Sequence, residues 1–390
     1  MSKQSVNVGF LGVGALSTKQ HVPNAFHNSL LRVHSLCDLD EARLKFYQDR
    51  YKPKRVTTDY RRMLADPEVD FVVIAMKPEL HVPFTIEALQ AGKHVYVEKP
   101  LAVTTEEAMK AARAAHAAGR HLAVGFNRRF APSYLDALDA VKTDKGPLLI
   151  NYRMVDDARD RSAWYTGRIR LIDEACHVFD VFNWLARSEP VGVYATEFGR
   201  KEDNQVVVQY ENGVTAAAVF SSFGAFGWPK ERIEIVGDNK VVGVEDFVEL
   251  QAAGVPGLTQ KNYAGREYDG FTHGYAQAYA QIGLPMYRYM RRLMEQRLLA
   301  SGLIDSAAGR DKWEALADLS PQDIHIPVNY SCDKGWYNAL DHFGRSILQN
   351  SPPETASAQD AAKTIEMGLA ALESIRVGQP VRLNRAAWTL

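Results

Sequence analysis

The sequence predicts a doubly wound α/β domain over residues 1–124, followed by an α+β domain over 125–390 built on an open, largely antiparallel sheet. Three observations carry this. Short apolar runs alternate with helical stretches up to about residue 124, hairpin turns join successive strand-like runs beyond residue 200, and a chain of 390 residues is long for one ordinary domain.

The first apolar run, Val6–Leu11, runs into glycines; further runs follow at 31–36, 71–76, His94–Val97 and 122–125. Between them lie the helical stretches Glu41–Tyr51, 83–91 and Thr105–Ala118. The last is rich in alanine and precedes Gly119, which suits a helix C-cap. Strands alternating with helices of this length form βαβ units, hence a parallel sheet. Beyond 125 the rhythm changes. Residues 172–185 have the spacing of one amphipathic helix, with Trp184 near its end. Strand-like runs then follow at 205–210, 214–220, 232–236 and 240–244, joined through Asn212-Gly213 and Asp238-Asn239, both hairpin dipeptides. Helices cover one face of such a sheet, and self-association as a homodimer or homotetramer is expected to cover the other. Residues 250–330 fit neither rhythm. They hold Tyr263, Tyr268, Tyr275, Tyr279, Tyr287 and Tyr289, together with a basic helical segment around 286–299, and are expected to pack on a domain or a neighbouring subunit.

Composition excludes several partners. With 46 basic and 47 acidic side chains the net charge is −1, so no global field draws the chain to nucleic acid or anionic lipid. No apolar stretch approaches the ~20 residues that cross a bilayer, and the N-terminus lacks the pattern of a secretion signal. Cys37, Cys176 and Cys332 are far apart, which points to a reducing, cytoplasmic location and away from a structural metal. No metal site is expected.

The residues Gly9-Phe10-Leu11-Gly12-Val13-Gly14-Ala15 close the first strand and open the first helix. Gly12 and Gly14 allow a tight turn and close approach of a pyrophosphate, which the helix N-terminus then attracts. The third small position is Ser17, where Gly or Ala is usual. Asp38 ends the second strand, where a carboxylate accepts hydrogen bonds from ribose hydroxyls. Leu39 and Asp40 follow it rather than a basic residue, so NAD is favoured over NADP as cofactor.

With this turn, the run 70–91 and the stretch His94-Val95-Tyr96-Val97-Glu98-Lys99-Pro100-Leu101, the chain resembles the glucose-fructose oxidoreductase/inositol dehydrogenase/MocA (Gfo/Idh/MocA) family. Further matches are Gly125-Phe126-Asn127-Arg128-Arg129-Phe130, the Asp173-Glu174-Ala175-Cys176-His177-Val178-Phe179-Asp180 stretch, similar to the family's Asp-x-Gly-x-His-x-x-Asp, and Val377-Gly378-Gln379-Pro380-Val381. The resemblance covers nearly the whole chain outside about 250–330. It implies a Rossmann domain, an α+β domain whose open sheet makes oligomer contacts, and a nicotinamide in the cleft between them. It also implies a sugar, polyol or glycoside substrate. Cofactor-lining residues would be Gly12, Gly14, Ala15, Leu16, Asp38, Ala75, Met76, Lys77, His81, Glu98, Lys99, Asn127 and Arg128; Lys99, Asp173 and His177 would line the reacting centre. The departures are Ala175 in place of glycine and Ala75-Met76-Lys77-Pro78 in place of a hydroxyl-bearing loop.

Oxidising a secondary alcohol requires a base for the hydroxyl proton, and an imidazole titrates in the right range. Asp173 and His177, four apart in a helical pattern, would project from one face. His177 is expected as the base, Lys99 as the ammonium stabilising a developing alkoxide and Asp173 as the orienting group; the roles of Lys99 and His177 are exchangeable at this stage. Cys176 reads as a buried packing residue, and His21 and His81 as packing or capping groups near the cofactor loops. Arg153, Arg159, Arg161, Arg168 and Arg170, interleaved with Trp164 and Tyr165, form either a substrate loop or a surface loop paired with Asp156, Asp157 and Asp160. In the first case Arg159 and Arg168 would meet an anionic group, and Trp164 and Tyr165 a sugar ring. The expected activity is that of an NAD-dependent sugar or polyol dehydrogenase. The alternatives are an NAD-dependent glycoside hydrolase that oxidises, eliminates and re-reduces, and a non-catalytic NAD-sensing regulator.

Overall fold

The structure, a computed structural model, describes residues 3–157, 170–199, 203–266, 280–301 and 332–390. Its first layer is a six-stranded parallel sheet of β1 (Val6–Leu11), β2 (Leu31–Cys37), β3 (Arg55–Thr57), β4 (Phe71–Ile74), β5 (His94–Val97) and β6 (Leu122–Val124), in the order β3-β2-β1-β4-β5-β6. The strand order reverses between β1 and β4, which opens a crevice at their C-terminal ends. β4 is buried throughout, as a strand covered on both faces must be. The sheet is doubly wound, as expected, with the short edge strand β3 added.

Helices α1 (Val22–Phe26) and α2 (Glu41–Tyr51) cover one face, and α3 (Tyr60–Leu64), α4 (His81–Gln90) and α5 (Thr105–Ala118) the other. Local signals set their ends. The Thr104 side chain accepts from Glu107 N–H at the start of α5, and Gly119, at φ 59°, ends it.

The second layer follows α6 (Pro132–Val141). Its strands are β7 (Leu149–Asp157), β8 (Pro190–Glu197), β9 (Asn204–Tyr210), β10 (Thr215–Gly224), β11 (Glu231–Gly237), β12 (Lys240–Glu245), β13 (Glu249–Ala253), β14 (Gln260–Asn262) and β15 (Val381–Arg382). They form a nine-stranded sheet in the order β14-β13-β12-β11-β7-β10-β9-β8-β15. β7 and β10 pair in parallel and the other neighbours antiparallel. The two expected hairpins are present. Asp238 and Asn239 both take positive φ (40° and 62°), the geometry a tight β11–β12 turn demands. Strand alternation in β10 sends Ala216, Ala218 and Phe220 into the core and leaves Val219 and Phe223 exposed.

The helix expected at 172–185 is broken. α7 (Arg170–Asp173) ends, the chain turns through Glu174 and Ala175, and α8 (Cys176–Ala186) begins. The Ala175 N–H reaches five residues back to the Arg170 carbonyl, and the His177 N–H goes to Glu174 rather than Asp173. The Asp173 carbonyl is thereby released from the helical ladder.

Three further helices lie among the described residues: α9 (Leu284–Ser301), α10 (Trp336–Gln349) and α11 (Ala358–Val377). α9 is the basic segment anticipated in the tyrosine-rich region. Its Tyr287 is buried and donates to Asp246 at 2.8 Å, while Tyr263 donates to Asp136 at 2.6 Å; Tyr268, Tyr275 and Tyr279 lie outside the described residues. α10 packs on the first sheet, with Phe343 edge-on to Phe71 at 5.3 Å. α11 serves both layers, giving Ala361, Ala362 and Ile365 to the first core and Met367, Ala370 and Ala371 to the second. Among the described residues no helix is long and apolar enough to cross a membrane.

Candidate active site

The glycine turn is held from several sides. Gly12 takes φ +91°, and a Cβ on it would stand 2.4 Å from the Ala75 carbonyl oxygen, so close approach of the β1 and β4 loops needs glycine here. Its N–H donates to the Cys37 carbonyl at 2.9 Å, and its carbonyl accepts the Ser17 hydroxyl at 2.5 Å. The departure at Ser17 is thus a local bond, made where the first helix opens as a π-helical turn, Ser17–His21. Gly14 differs: a Cβ there meets nothing within 4 Å. Neither packing nor strain within the protein requires that glycine, and the clear space beside it suits a pyrophosphate at a helix N-terminus. Gly12→Ala is expected to cost about 1–3 kcal/mol of strain at the turn and to weaken NADH binding accordingly. A fluorescence titration with NADH checks this, and unchanged affinity would count against the turn as the cofactor cradle.

Asp38 ends β2, as expected, and faces the turn. Its Oδ2 accepts from Val13 N–H at 2.7 Å and its Oδ1 from Asp40 N–H at 3.0 Å. The first turn of α2 brings Arg43 back to within 3.5 Å of the carboxylate.

Several expected cofactor residues are engaged within the protein. Ala15 is exposed and Leu16 half-buried at the helix start, and Ala75, Met76 and Lys77 form the loop after β4. His81 fastens that loop to the one after β5: its Nδ1 lies 2.8 Å from the Pro100 carbonyl oxygen and its Nε2 3.1 Å from that of Met76. Burial holds its pKa below the ordinary histidine value, against the Pro100 carbonyl and Glu98, which raise it. Glu98 points inward to His21 Nε2 at 2.8 Å and lies against Gly125. Asn127 donates to the Lys334 carbonyl at 2.6 Å, leaving its buried Oδ1 without a partner among the described residues. Arg128 is likewise engaged within the protein. Its guanidinium makes a two-pronged pair with buried Glu231, at 2.7 and 2.8 Å, because the 3₁₀ turn Asn127–Phe130 directs it toward β11.

Lys99 follows the end of β5, at the crevice of the parallel sheet, and the Lys99–Pro100 bond is cis. Its Nζ donates to the released Asp173 carbonyl at 3.1 Å and stands 3.6 Å from Glu174 Oε2. The Asp173 backbone thus holds the lysine through a carbonyl that the His177 N–H leaves unused. Burial depresses the Lys99 pKa, but Glu174 and then Asp173 outweigh it, so the pKa is raised and the side chain stays an ammonium. His177 is buried on the first turn of α8, edge-on to Phe126 at 5.9 Å. Its Nδ1 has no partner among the described residues. Burial, then Arg128 and Lys99, press its pKa well below the ordinary value, so the imidazole is neutral.

The arginine-rich stretch divides. Arg153 pairs with Glu245 at 2.9 Å. Arg170 is buried, reaching Asp156 at 2.8 Å and the Ser222 hydroxyl at 2.6 Å. Arg159, Trp164, Tyr165 and Arg168 lie outside the described residues. The sequence reading missed Glu174 and Lys230. Glu174 stood inside a quoted motif, but a continuous helix would have turned it away from Asp173 and His177. Among the described residues one group has metal-like spacing, His34, Asp66 and Glu68; Asp66 already faces Arg55 at 2.9 Å, and Glu68 pairs with Lys54.

Two family profiles match the chain. Residues 6–126 fit an oxidoreductase family with an NAD-binding Rossmann fold, and 147–242 fit the Gfo/Idh/MocA C-terminal domain. The chain belongs to the Gfo/Idh/MocA family. It is therefore an oxidoreductase, and its cofactor is NAD. Its relatives in the family include an inositol 2-dehydrogenase of Paracoccus denitrificans, 31% identical over 261 residues, spanning 63% of this chain and 76% of that protein. An uncharacterized oxidoreductase, YrbE of Bacillus subtilis, is 28% identical over 252 residues, spanning 61% and 72%. Among solved structures, the aldose-aldose oxidoreductase of Caulobacter crescentus shares the fold, with a TM-score of 0.71 at 21% identity, covering 97% of this chain and all of that one (100%).

Proposed function

We propose that this Gfo/Idh/MocA protein is a dehydrogenase that removes a hydride from a secondary hydroxyl of a sugar or polyol, with His177 as general base and Lys99 as the cation beside the reacting oxygen. One arrangement supports the reading above others: a buried imidazole on α8 whose Nδ1 has no partner among the described residues and whose pKa burial presses down, and a lysine at the end of β5 held by the Asp173 carbonyl and Glu174, which raises its pKa. A lowered pKa on the imidazole and a raised one on the lysine favour this assignment of roles over the exchange of the two. Bound NAD supplies the hydride acceptor. His177 takes the hydroxyl proton, and Lys99 steadies the negative charge that develops on that oxygen. Asp173 acts through its main-chain carbonyl, which aims Lys99. The Asp38 carboxylate, set beside the turn, favours a free ribose hydroxyl over a 2′-phosphate. The naming of relatives as inositol 2-dehydrogenases supports a polyol as substrate.

The test is a panel of inositols, aldoses, uronic acids and glycosides incubated with NAD and followed by NADH absorbance. NADH formation with a polyol or sugar is expected. Aglycone release without net NADH would point instead to the redox-neutral hydrolase, and no turnover of any member would sink the proposal.

A further inference from the structure

Two ammonium groups from different sheets meet on one carboxylate. Glu174 sits in the break between α7 and α8, with Oε2 3.6 Å from Lys99 Nζ and Oε1 accepting from Lys230 Nζ at 2.7 Å. Lys230, directly before β11, also reaches Asp156 at 2.9 Å, and Asp156 pairs in turn with Arg170. The side chains of Lys99 and Lys230 are each 17% exposed and that of Glu174 13%, so solvent screens these charges poorly. The second bond matters to the first. A carboxylate fixed at one oxygen by Lys230 cannot swing both oxygens onto Lys99. At 3.6 Å it therefore acts on that ammonium by charge, while the Asp173 carbonyl supplies the hydrogen bond.

We propose that Glu174, clamped by Lys230, is a positioning residue whose fixed carboxylate holds Lys99 as an ammonium at the crevice. This goes beyond the reading of Lys99 as the cation at the reacting oxygen and rests on it for its significance. The groups that face Lys99 are Glu174, Asp173 and Cys176 from the α7–α8 segment and Glu98 beside it in sequence; those that face Glu174 are Lys230, Lys99, His177 and Arg170. Burial alone would raise the Glu174 pKa, but Lys230 first and Lys99 second hold it well below the usual carboxylate range. The carboxylate is thus charged throughout the working range of pH.

The two partners have opposite effects on Lys99. Removing the Glu174 charge takes away an attraction, so the Lys99 pKa falls. Removing the Lys230 charge takes away a repulsion and leaves Glu174 more fully to Lys99, so the Lys99 pKa rises. Competitive acetylation of the whole protein with acetic anhydride across pH, with the Lys99 peptide quantified by mass spectrometry, reads this directly and needs no substrate. Glu174→Gln is expected to lower the Lys99 midpoint by about 1–3 units, and Lys230→Met to raise it. Glu174→Asp keeps the charge and should stay near the wild-type value. Buried Lys93, bonded to the Asp66 and Val69 carbonyls, is the internal standard for an intact fold in each sample. Should Glu174→Gln fail to fold, the rise in Lys230→Met and the unmoved midpoint of Glu174→Asp still carry the test. Midpoints that do not move, or that move the same way in both charge-removing variants, overturn the proposal. Because no turnover is involved, that failure is separate from failure of the dehydrogenase reading in the substrate panel.

Discussion

Replacing His177 with Asn is expected to lower kcat by about 10²–10⁴-fold while leaving NADH binding intact, the usual loss when a general base is removed. The imidazole is neutral at rest because burial, then the positive charges of Arg128 and Lys99, disfavour its protonated form. Its availability as a base therefore extends to lower pH than an exposed histidine would allow. The sign for oxidation follows: kcat/KM stays flat through neutrality and falls only as pH drops through the depressed His177 pKa, well below the ordinary 6.5. Lys99 sets the other limb. Its pKa is raised above 10.5, so the ammonium persists through the alkaline range in which a dehydrogenase is normally assayed. Steady-state rates of wild type and variant across pH, with the best substrate from the panel, check both statements. Retention of turnover within about tenfold would remove His177 from the role of base.

Replacing Glu231 with Ala is expected to destabilise the fold by about 3–5 kcal/mol, the range for removing one member of a buried charge pair. Glu231 is fully buried and serves several elements at once: Arg128 through two bonds, Lys334 at 3.0 Å and the Tyr152 hydroxyl at 2.6 Å. Truncation strands two cations in a dry interior. Glu231→Gln keeps the shape and loses only the charge, so it should fall between wild type and Ala. Burial raises the Glu231 pKa, but Arg128 and then Lys334 pull it well below the usual value. A depressed carboxylate contributes stability above its unfolded pKa and loses it only as pH falls through the folded one. The pair therefore keeps its value through the mildly acidic range. Urea unfolding at neutral pH measures the difference, and a loss under about 1 kcal/mol would contradict the assigned role.

The parallel sheet was legible because a strand buried on both faces reads as an apolar run: β4 and β6 are wholly apolar, and β1 and β5 are broken only at Asn7 and His94. The β11–β12 hairpin was legible because Asp238 and Asn239 tolerate left-handed backbone. The break between α7 and α8 was not, since residues 171–186 hold an apolar pattern straight through it and only the bonds of Ala175 and His177 reveal it. That break shapes the candidate site: it adds the Asp173 carbonyl as an acceptor for Lys99 beside the Asp173 carboxylate charge, and it admits Glu174. The direction of a side chain was equally hidden. Arg128 beside the cleft in sequence says nothing of Glu231, which lies 103 positions away. Arg43 escaped notice because a helical turn, rather than adjacency, returns it to Asp38.

The reliance of the first layer on α10 and α11 has a consequence for how the polypeptide is made. Ribosomes deliver β1–β6 long before residues 336–377 emerge, yet those residues cover Phe71 and Tyr96 on one side of the first sheet and the alanine face of α5 on the other. During synthesis the nascent first layer waits with apolar surface bare, the condition under which chains aggregate or recruit chaperones. Its final closure is a post-translational event, set by the arrival of two late helices and not by the order in which the strands were threaded out.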